Sequence, residues 1–265
     1  MKDKPSVNKQ ALWKTLRSQA EQRAEREPLL RSYYYASVIN HSAFEHALAH
    51  ILAEKLHSIA VPELLLSEVF NQCLASNESI LSYALADMVA YFERDPACES
   101  FCRPFLNYKG YQAVQAHRLA HVLWQSGRKY LARYIHFQSS LLFGVDIHPA
   151  AKIGYGFMVD HATGIVIGET SEVGNDVSML HGVTLGGTGK ESGKRHPSLG
   201  DGVMVSCGAK LLGNIHIGDG VKVGGGSLVL QSVPAHVTVV GVPAKVVGAP
   251  RDDFPSLSMD QQLNF

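Results

Sequence analysis

The sequence predicts an α+β protein in which an N-terminal all-helical domain is followed by a parallel β-helix of six-residue repeats. Apolar residues recur at helical spacing through the first half of the 265-residue chain, and aliphatic residues recur at every sixth position through the second half. A helix has a period of about 3.6 residues and an ordinary strand a period of about two, so a period of six matches neither. Glycine often follows the repeating aliphatic residue directly, which indicates a corner in the chain.

The helical pattern extends from about residue 9 to residue 144. Prolines and glycines divide it into several helices of ordinary length. The dividing residues are Pro28, Pro62, Pro96, Pro104, Gly110 and Gly127. The last helix, at about residues 129–143, leads into the first repeat. We therefore predict a helical domain over residues 1–140.

The repeat starts at Ile147 and ends near Pro234, with a slip of two residues between Ile165 and Ile167. Three six-residue segments complete one triangular coil, so each coil takes about eighteen residues. An antiparallel sandwich is the alternative, but its strands would alternate apolar and polar residues, and these do not. We predict the β-helix over 141–250, with an external loop at about 186–198 and a polar tail without a core pattern over 251–265.

The composition argues against several classes of protein. The chain has 24 Lys plus Arg against 24 Asp plus Glu and no basic stripe, which argues against a nucleic-acid partner. It shows no signal segment and no run of eighteen apolar residues, so we expect no membrane partner and a cytoplasmic protein. The four cysteines follow neither a disulfide nor a zinc pattern.

The first candidate site is Asp160-His161 at a predicted corner, with Asp146 fifteen positions before the histidine. Because one coil takes about eighteen residues, Asp146 is expected about one coil away and near His161. A carboxylate that holds one ring nitrogen of a histidine fixes its tautomer and makes it a better general base. The alternative is a solvated histidine bonded to backbone.

The second candidate site is the insertion that interrupts the repeat between Leu185 and Leu199. Hydrophilic insertions in such folds are external loops, and these commonly carry binding residues. Its glycines allow close approach of a ligand, and Arg195 can bind a carboxylate through two parallel hydrogen bonds. No Gly-Lys-Ser/Thr sequence follows in a strand-to-helix context, so the glycines are not a P-loop. A flexible solvated loop is the alternative.

Histidines in the repeat region leave a metal site open. Imidazoles from neighbouring subunits could bind zinc at the interface of a trimer, the assembly that we expect to cover the apolar coil faces. Their spacing contains no short ligand pair, and solvent-facing side chains are the alternative. They are His148, His161, His181, His196, His216 and His236.

The repeat resembles the left-handed β-helix acyltransferases, and its motifs resemble the serine acetyltransferase family. The similar runs are Asp146-Ile-His-Pro-Ala-Ala-Lys-Ile-Gly, Asp160-His-Ala-Thr-Gly-Ile-Val-Ile-Gly-Glu-Thr, Val183-Thr-Leu-Gly-Gly-Thr-Gly-Lys, Arg195-His-Pro, Arg94-Asp95-Pro96-Ala97 and Gly241-Val-Pro-Ala-Lys. The resemblance covers nearly the whole chain. It implies a left-handed coil, against the usual right-handed crossover, and a dimer of trimers joined through the helical domains.

The resemblance also implies a reaction. Serine acetyltransferases transfer acetyl from acetyl-CoA to the hydroxyl of L-serine, giving O-acetylserine for cysteine biosynthesis. In that reaction His161 would be the general base, and Asp146 would orient its imidazole. Direct transfer between two bound substrates requires neither a metal nor an acyl-enzyme.

Binding roles follow from the same resemblance. The ammonium group of serine would be held by Asp95 and Asp160, and its carboxylate by Arg195 with His196 close by. Acetyl-CoA would lie along the coil face between subunits. Its candidate contacts are Gly186, Gly187, Thr188 and Ala209 for the pantetheine arm, and Lys222 and Lys245 for the phosphates.

Two protein-level expectations concern regulation and partners. L-cysteine is expected to inhibit at the serine site, because a thiol replaces a hydroxyl with little change of shape. Family members bind O-acetylserine sulfhydrylase through a C-terminal tail that ends in Ile. The present sequence ends in Leu263-Asn264-Phe265, so this partner stays open.

Alternatives to serine acetylation stay open at this point. A zinc-dependent hydratase of the carbonic anhydrase type and a non-catalytic scaffold would both fit the predicted fold. A sugar or homoserine is the alternative acceptor for an acetyltransferase. Asp95 and Asp160 favour an acceptor that carries an ammonium group.

Overall fold

The structure, a computed structural model, describes residues 7–190 and 192–263. Its first part is helical, with a 3-10 turn at Pro28–Leu30 and a π-helical turn at Tyr35–Ile39. The helices are α1 (Lys9–Arg26), α2 (Arg31–Tyr34), α3 (Phe44–Leu56), α4 (Glu63–Ser76), α5 (Glu78–Arg94), α6 (Cys102–Asn107), α7 (Lys109–Gln125) and α8 (Lys129–Phe143). Helix α8 has the bounds that the sequence predicts for the last helix.

Helix α7 lies at the centre of this part, and every residue from 111 to 120 is buried. Its Arg118 donates two hydrogen bonds to the fully buried Asp87 of α5, at 2.8 and 2.9 Å. The same guanidinium donates to the carbonyl groups of Ile153 and Gly154 in the first coil, at 3.1 and 2.7 Å. Removal of one partner of a buried ion pair typically costs about 3–5 kcal/mol. This pair therefore holds the helical part rigidly on the β-helix.

The second part is a β-helix with three parallel sheets. Sheet 1 has the order β1-β4-β7-β10-β13, sheet 2 the order β2-β5-β8-β11, and sheet 3 the order β3-β6-β9-β12-β14, to which β15 adds an antiparallel edge. The strands are β1 (Val145–Ile147), β2 (Lys152–Ile153), β3 (Met158–Val159), β4 (Ile165–Ile167), β5 (Glu172–Val173), β6 (Ser178–Met179), β7 (Thr184–Gly186), β8 (Ser198–Leu199), β9 (Met204–Val205), β10 (Lys210–Leu212), β11 (His216–Ile217), β12 (Lys222–Val223), β13 (Leu228–Val229), β14 (Thr238–Gly241) and β15 (Ala244–Gly248).

The six-residue spacing corresponds to inward-facing side chains, and the predicted β-helix is confirmed. Every aliphatic residue of the repeat is buried except Ile153, which is partly buried. Lys210 pairs with Leu228, eighteen positions later, which is the predicted coil length. The coils bury these side chains on one another, which a single coil could not do alone.

Two coils are longer than eighteen residues, and their extra residues mark the two irregularities of the sequence. Val145 pairs with Ile165, twenty positions later, so the two extra residues lie in the corner between β3 and β4, before Ile165 rather than between Ile165 and Ile167, where the six-residue pattern places the slip. Thr184 pairs with Lys210, twenty-six positions later, because the predicted external loop lies after β7. The described part of this loop comprises residues 187–190 and 192–197. Both insertions thus lie outside the regular coil.

The tail after residue 250 is ordered against the coil, although the sequence shows no core pattern there. It forms the short helix α9 (Pro255–Ser258), in which Pro255 and Ser256 are buried. Ser178 of sheet 3 donates to the carbonyl of Ser256 at 2.9 Å, and Ser206 donates to Gln261 at 2.6 Å. The tail is held by polar groups on the outer face of sheet 3, which hydrophobic periodicity does not reveal. Asn264 and Phe265 lie outside the described residues.

Across residues 7–190 and 192–263, no helix has the length and apolar character needed to cross a membrane.

Candidate active site

The slip of two residues forms a bulge that carries His161 outward. Gly164 and Gly182 stack in successive coils, so the extra residues lie just before Gly164. His161 and Ala162 have φ values of 56° and 61°, a region that costs an L-residue about 1–2 kcal/mol. Ala162 is buried, whereas the side chain of His161 is 76% exposed. The bulge is therefore strained at the backbone, and this conformation makes the imidazole project from the coil into solvent.

The strand that leads into the bulge is held from the helical part. The buried hydroxyl of Tyr91 donates to the carbonyl of Val159 at 2.8 Å and accepts from its N–H at 3.0 Å. Gly110 of α7 packs so closely that a Cβ there would lie 2.2 Å from the same carbonyl oxygen. The position of Asp160 and His161 is thus set by α5 and α7 as well as by the coil.

A cavity of about 500 Å³ lies beside the bulge and brings together Asp95, Asp160 and His161. The carboxylate of Asp160 lies 3.6 Å from Nε2 of His161. One oxygen of Asp95 accepts from the N–H of Ala97 and the other from the hydroxyl of Tyr108, each at 2.8 Å. Burial and the Asp95 carboxylate raise the pKa of Tyr108, which keeps its hydroxyl a neutral donor. Two carboxylates on one cavity suit a cationic ligand group.

Arg195 and His196 lie at a different corner, between sheets 1 and 2, where Thr170 organises them. The hydroxyl oxygen of Thr170 accepts from the N–H groups of Arg195 and His196, at 3.0 and 3.1 Å. It lies 2.8 Å from Nδ1 of His196, which also accepts from the N–H of Thr170 at 3.2 Å. Glu169 forms an ion pair of 2.5 Å with the guanidinium of Arg195. Arg195 and His196, at the C-terminal end of the external loop, are therefore held in fixed positions before any ligand binds.

His196 is neutral and keeps one proton for donation. Its Nδ1 accepts hydrogen bonds, so the proton lies on Nε2. Burial lowers the pKa of His196, and the charge of Arg195 lowers it further. The imidazole can therefore donate through Nε2 at neutral pH without carrying charge.

We expect Gly168→Ala to displace His196 and to weaken binding of the acceptor substrate. A Cβ at Gly168 would lie 2.1 Å from two atoms of the His196 ring, which must then move. Misplacement of a binding group by about 1 Å can cost up to a hundredfold, so we expect the KM for the acceptor to rise about tenfold or more. Steady-state kinetics measure this. Gly225→Ala is the control, because the nearest atoms to a Cβ there would lie at an ordinary distance of 3.5 Å. Equal kinetics of the two variants would contradict the expectation.

Within one chain, the side chain of Asp146 does not contact that of His161. The coil length, by contrast, predicts that the two residues lie near each other. Asp146 faces outward from β1, and its carboxylate accepts from Nε2 of His136 on α8 at 2.6 Å. This hydrogen bond lowers the pKa of Asp146, and His148 contributes. The bulge directs His161 away from the coil, so a position one coil away does not bring the two side chains together.

The candidate residues therefore form two clusters at opposite ends of the strands of sheet 1. One lies at the corner where these strands begin and the other near the corner where they end. The base-bearing cluster, defined by Asp95, Asp160 and His161, lies at the corner between sheets 3 and 1. The loop cluster, defined by Asp146, His148, Glu169, Arg195 and His196, lies on sheet 1 and at its corner with sheet 2. Each cluster therefore holds only some of the candidate residues.

The candidate contacts for acetyl-CoA differ in accessibility. Gly187 and Thr188 are exposed, as is Lys245 on β15. Ala209 is fully buried, and its carbonyl already accepts from the N–H of Thr184 at 3.0 Å. The carbonyl of Gly186 likewise accepts from Gly213 at 2.9 Å.

Lys222 is covered by the tail. Its side chain is 4% exposed, its ammonium donates to the carbonyl of Gln262 at 2.5 Å, and Asp260 lies 3.8 Å away. Lys222 can therefore meet a phosphate only if the tail leaves sheet 3.

The histidines of the coils do not converge within the chain. His161 and His181 have ring centroids 6.1 Å apart, and His216 and His236 are exposed elsewhere. Within the part of the chain that the structure describes, no group of three His, Cys, Asp or Glu side chains is arranged to hold a metal ion.

Sequence reasoning missed Thr170, Glu169, Tyr108 and His136. Glu169 and Thr170 stand in the run that carries the family resemblance, but their contacts with Arg195 depend on a register of twenty-six residues between β5 and β8. The regular repeat predicts a register of about eighteen residues, and the register of twenty-six follows only when the residues of the external loop are counted as part of this coil. Tyr108 and His136 belong to helices whose orientation against the coil no local pattern predicts.

Comparison with protein families identifies two matching regions. Residues 12–116 match the family "Serine acetyltransferase, N-terminal". Residues 196–231 match "Bacterial transferase hexapeptide (six repeats)". A serine acetyltransferase of Salmonella typhimurium is 48% identical over 98% of this chain and 95% of its own length.

Solved structures agree with the sequence relatives. A serine acetyltransferase from Vibrio cholerae superposes with a TM-score of 0.95 at 51% identity, covering 97% of this chain and 99% of the other. A serine acetyltransferase in complex with cysteine gives 0.94 at 46% identity, covering 97% and 100%. One from Brucella abortus in complex with coenzyme A gives 0.88 at 46% identity, covering 90% and 96%.

Proposed function

The chain belongs to the serine acetyltransferase family, and on that premise we propose how its residues transfer the acetyl group of acetyl-CoA to the hydroxyl of L-serine. The acceptor is an unactivated alcohol, so a positioned base must take its proton as it attacks the thioester. His161 is the exposed imidazole beside the Asp95–Asp160 cavity and is proposed as that base. The presence of His161 on this cavity is the observation that carries the proposal.

The active site is proposed to form between two subunits, with the base-bearing cluster of one subunit facing the loop cluster of the next. Support comes from the positions of the two clusters at the two corners that flank sheet 1. In a trimer with three-fold symmetry whose subunits contact one another through this sheet, one corner of each subunit faces the other corner of the next subunit. The outer surface of sheet 1 and the neighbouring α8 carry exposed apolar side chains that such an assembly would cover. They are Val166, Leu230, Phe137 and Leu141.

L-Serine is proposed to bind across this interface. Asp95 and Asp160 would hold its ammonium group, and Arg195 of the partner subunit would bind its carboxylate, with the Nε2 proton of His196 as a second donor. Glu169 already orients the guanidinium of Arg195. The hydroxyl would then face the imidazole of His161, with the thioester entering from the side of the external loop.

The proposed reaction proceeds in one encounter between the two bound substrates. The serine oxygen attacks the thioester carbon while His161 takes the hydroxyl proton. The tetrahedral species then expels the CoA thiolate, which takes up the proton from the imidazolium and leaves as the thiol. Asp146 of the partner subunit would stabilise the imidazolium, because an adjacent carboxylate favours the charged form.

We expect Asp95→Asn to raise the KM for L-serine about tenfold or more, with a smaller effect on the KM for acetyl-CoA. The change keeps the shape of the side chain but removes the charge that attracts the ammonium group, and the amide oxygen can accept only one of the two bonds that the carboxylate accepts from Ala97 and Tyr108. The wild type should likewise acetylate 3-hydroxypropionate, which lacks the ammonium group, far more slowly than serine. A thiol-release assay measures both. Equal use of the two acceptors would contradict the assignment of Asp95 and Asp160.

L-Cysteine is proposed to inhibit by occupying the serine site, since it differs from serine by one atom. A relative solved with cysteine supports this. We further propose a dimer of trimers joined through the helical parts, where Leu29, Leu64 and Leu65 are 92%, 69% and 54% exposed. A cytoplasmic location is proposed because O-acetylserine serves amino-acid synthesis.

The division into 1–140, 141–250 and 251–265 and the partnership with O-acetylserine sulfhydrylase stay predictions. The second concerns the end of the tail, where Asn264 and Phe265 lie outside the described residues.

A further inference from the structure

Helix α8 contributes a histidine to the outer face of sheet 1 that the reaction scheme above does not use. Nε2 of His136 lies 2.6 Å from one carboxylate oxygen, Oδ1, of Asp146. The two residues are ten positions apart and belong to different elements, α8 and β1. Their side chains are 22% and 49% exposed, so the pair lies at the surface with the carboxylate on the open side.

We propose that His136 is a positioning residue for acetyl transfer: it donates its Nε2 proton to Oδ1 of Asp146 and so holds Oδ2 toward His161 of the partner subunit. The inference rests on the proposed function, in which Asp146 stabilises the imidazolium of His161. His136 itself touches neither substrate. It acts through the carboxylate.

A carboxylate on a short side chain needs such a constraint to serve an incoming imidazole. The side chain of Asp146 is about half exposed, and an unrestrained carboxylate there would rotate and remain hydrated. A hydrogen bond from His136 uses one oxygen and fixes the plane of the group. The other oxygen then faces the outside of the coil, which is the side from which a neighbouring subunit must come.

The ring of His136 is itself held in place. Its centroid lies 6.0 Å from that of His148, which packs edge-on against Trp124 at 5.0 Å. The guanidinium of Arg133 lies over the Trp124 ring, 5.3 Å from its centroid. This row of rings joins α7, α8 and the end of β1, so the orientation of Asp146 is set by the helical part of the protein.

The hydrogen bond also keeps Asp146 ionised. It lowers the pKa of Asp146, and the neighbouring His148 adds to the effect. A carboxylate that stays charged is the form that stabilises an imidazolium.

A purely structural role is the competing explanation, since a bond between α8 and β1 also ties the helical part to the coil. The two roles differ in what loss of the bond changes: a structural bond would lower the stability or the assembly of the protein, whereas a positioning bond lowers kcat in a protein that keeps its fold. The choice of replacement tests the bond itself. The amide nitrogen of Gln reaches about as far as Nε2 of histidine, whereas that of Asn reaches only about as far as Nδ1. The bond is made by Nε2, so Gln should preserve it and Asn should not.

The test compares His136→Gln, His136→Asn and His136→Leu in the full-length protein by steady-state kinetics. We expect the Asn and Leu variants to lose about tenfold or more in kcat, with the KM for L-serine and acetyl-CoA changed less than about twofold, and the Gln variant to keep about half or more of kcat. His57→Leu is the control, because His57 is exposed and its ring bonds to the backbone carbonyl of Glu54 rather than to a side chain near Asp146. Thermal unfolding and size-exclusion chromatography check that fold and assembly are kept.

A double-mutant cycle with Asp146→Ala tests whether His136 acts through Asp146, while the unfolding temperature and the assembly of the variants distinguish a structural role. If His136 acts through Asp146, His136→Leu causes no further loss of kcat once Asp146 is Ala. An undiminished loss in that background, or equal kinetics of the Gln and Asn variants, overturns the inference. If Asp146→Ala is slow while His136→Leu is not, this inference alone fails. If Asp146→Ala has wild-type kcat, the proposed role of Asp146 fails with it.

Discussion

His161→Ala is expected to lower kcat for acetyl transfer to L-serine by about two to four orders of magnitude, the range for a lost general base. The hydroxyl of serine does not ionise at neutral pH, so without the imidazole no positioned group takes its proton. The KM for acetyl-CoA should change little, because His161 lies on the bulge and cavity side rather than on the external loop. A thiol-release assay under saturating substrates measures the effect.

His181→Ala is the matched control for this variant. His181 is also an exposed coil histidine, and its ring lies 6.1 Å from that of His161. It stands in a coil without the two extra residues, so it is not carried outward by a bulge. We expect it to keep wild-type kcat. A His161→Ala enzyme with wild-type turnover, or equal losses in both variants, would remove the base from the proposal.

Mixing two inactive variants is expected to restore activity if the site is shared between subunits. His161→Ala destroys the base-bearing cluster, and Arg195→Ala destroys the loop cluster. Each variant alone should have nearly no activity, because every interface lacks one half. In randomly mixed trimers about a quarter of the interfaces combine an intact His161 with an intact Arg195. Co-expression should therefore recover about a quarter of wild-type turnover.

The geometry makes this outcome discriminating. A site contained in one chain would gain nothing from mixing, since every chain in the mixture carries a defect. The control is the double variant with both substitutions in the same chain, co-expressed with wild type. In those trimers an interface is intact only when both subunits are wild type, again about a quarter, whereas the double variant alone stays inactive. Co-expression of the two single variants without recovery would refute the shared site.

Much of the fold follows from the sequence because the repeat leaves only one way to bury its aliphatic residues. The six-residue spacing predicts the inward positions from Ile147 to Val229, and those side chains are buried except that of Ile153, which is partly buried. The sequence also shows that two residues are added to the pattern near Ile165, but only the structure places them before that residue, in the corner that carries His161. The ordered tail could not be predicted in this way, since polar hydrogen bonds such as that from Ser178 to Ser256 leave no periodic signal.

The candidate site follows from the sequence only in part. Motif resemblance brings Asp95, Asp160 and His161 to attention, and the structure places these three on one cavity. Coil length alone suggests that Asp146 joins them, but its carboxylate turns to His136 instead. The difference arises because a repeat predicts the position of a residue along the coil, not the direction of a side chain on its surface.

The sequence by itself determined the period, the inward side chains, the fact that the coil is interrupted twice and the family to which the motifs belong. Each of these depends on spacing along the chain, which hydrophobic burial converts directly into structure. Only the tertiary structure decided that the functional groups separate into two clusters and that Thr170, Tyr108 and His136 orient them. Those contacts join residues far apart in sequence through helix packing and coil register, and no local pattern encodes them.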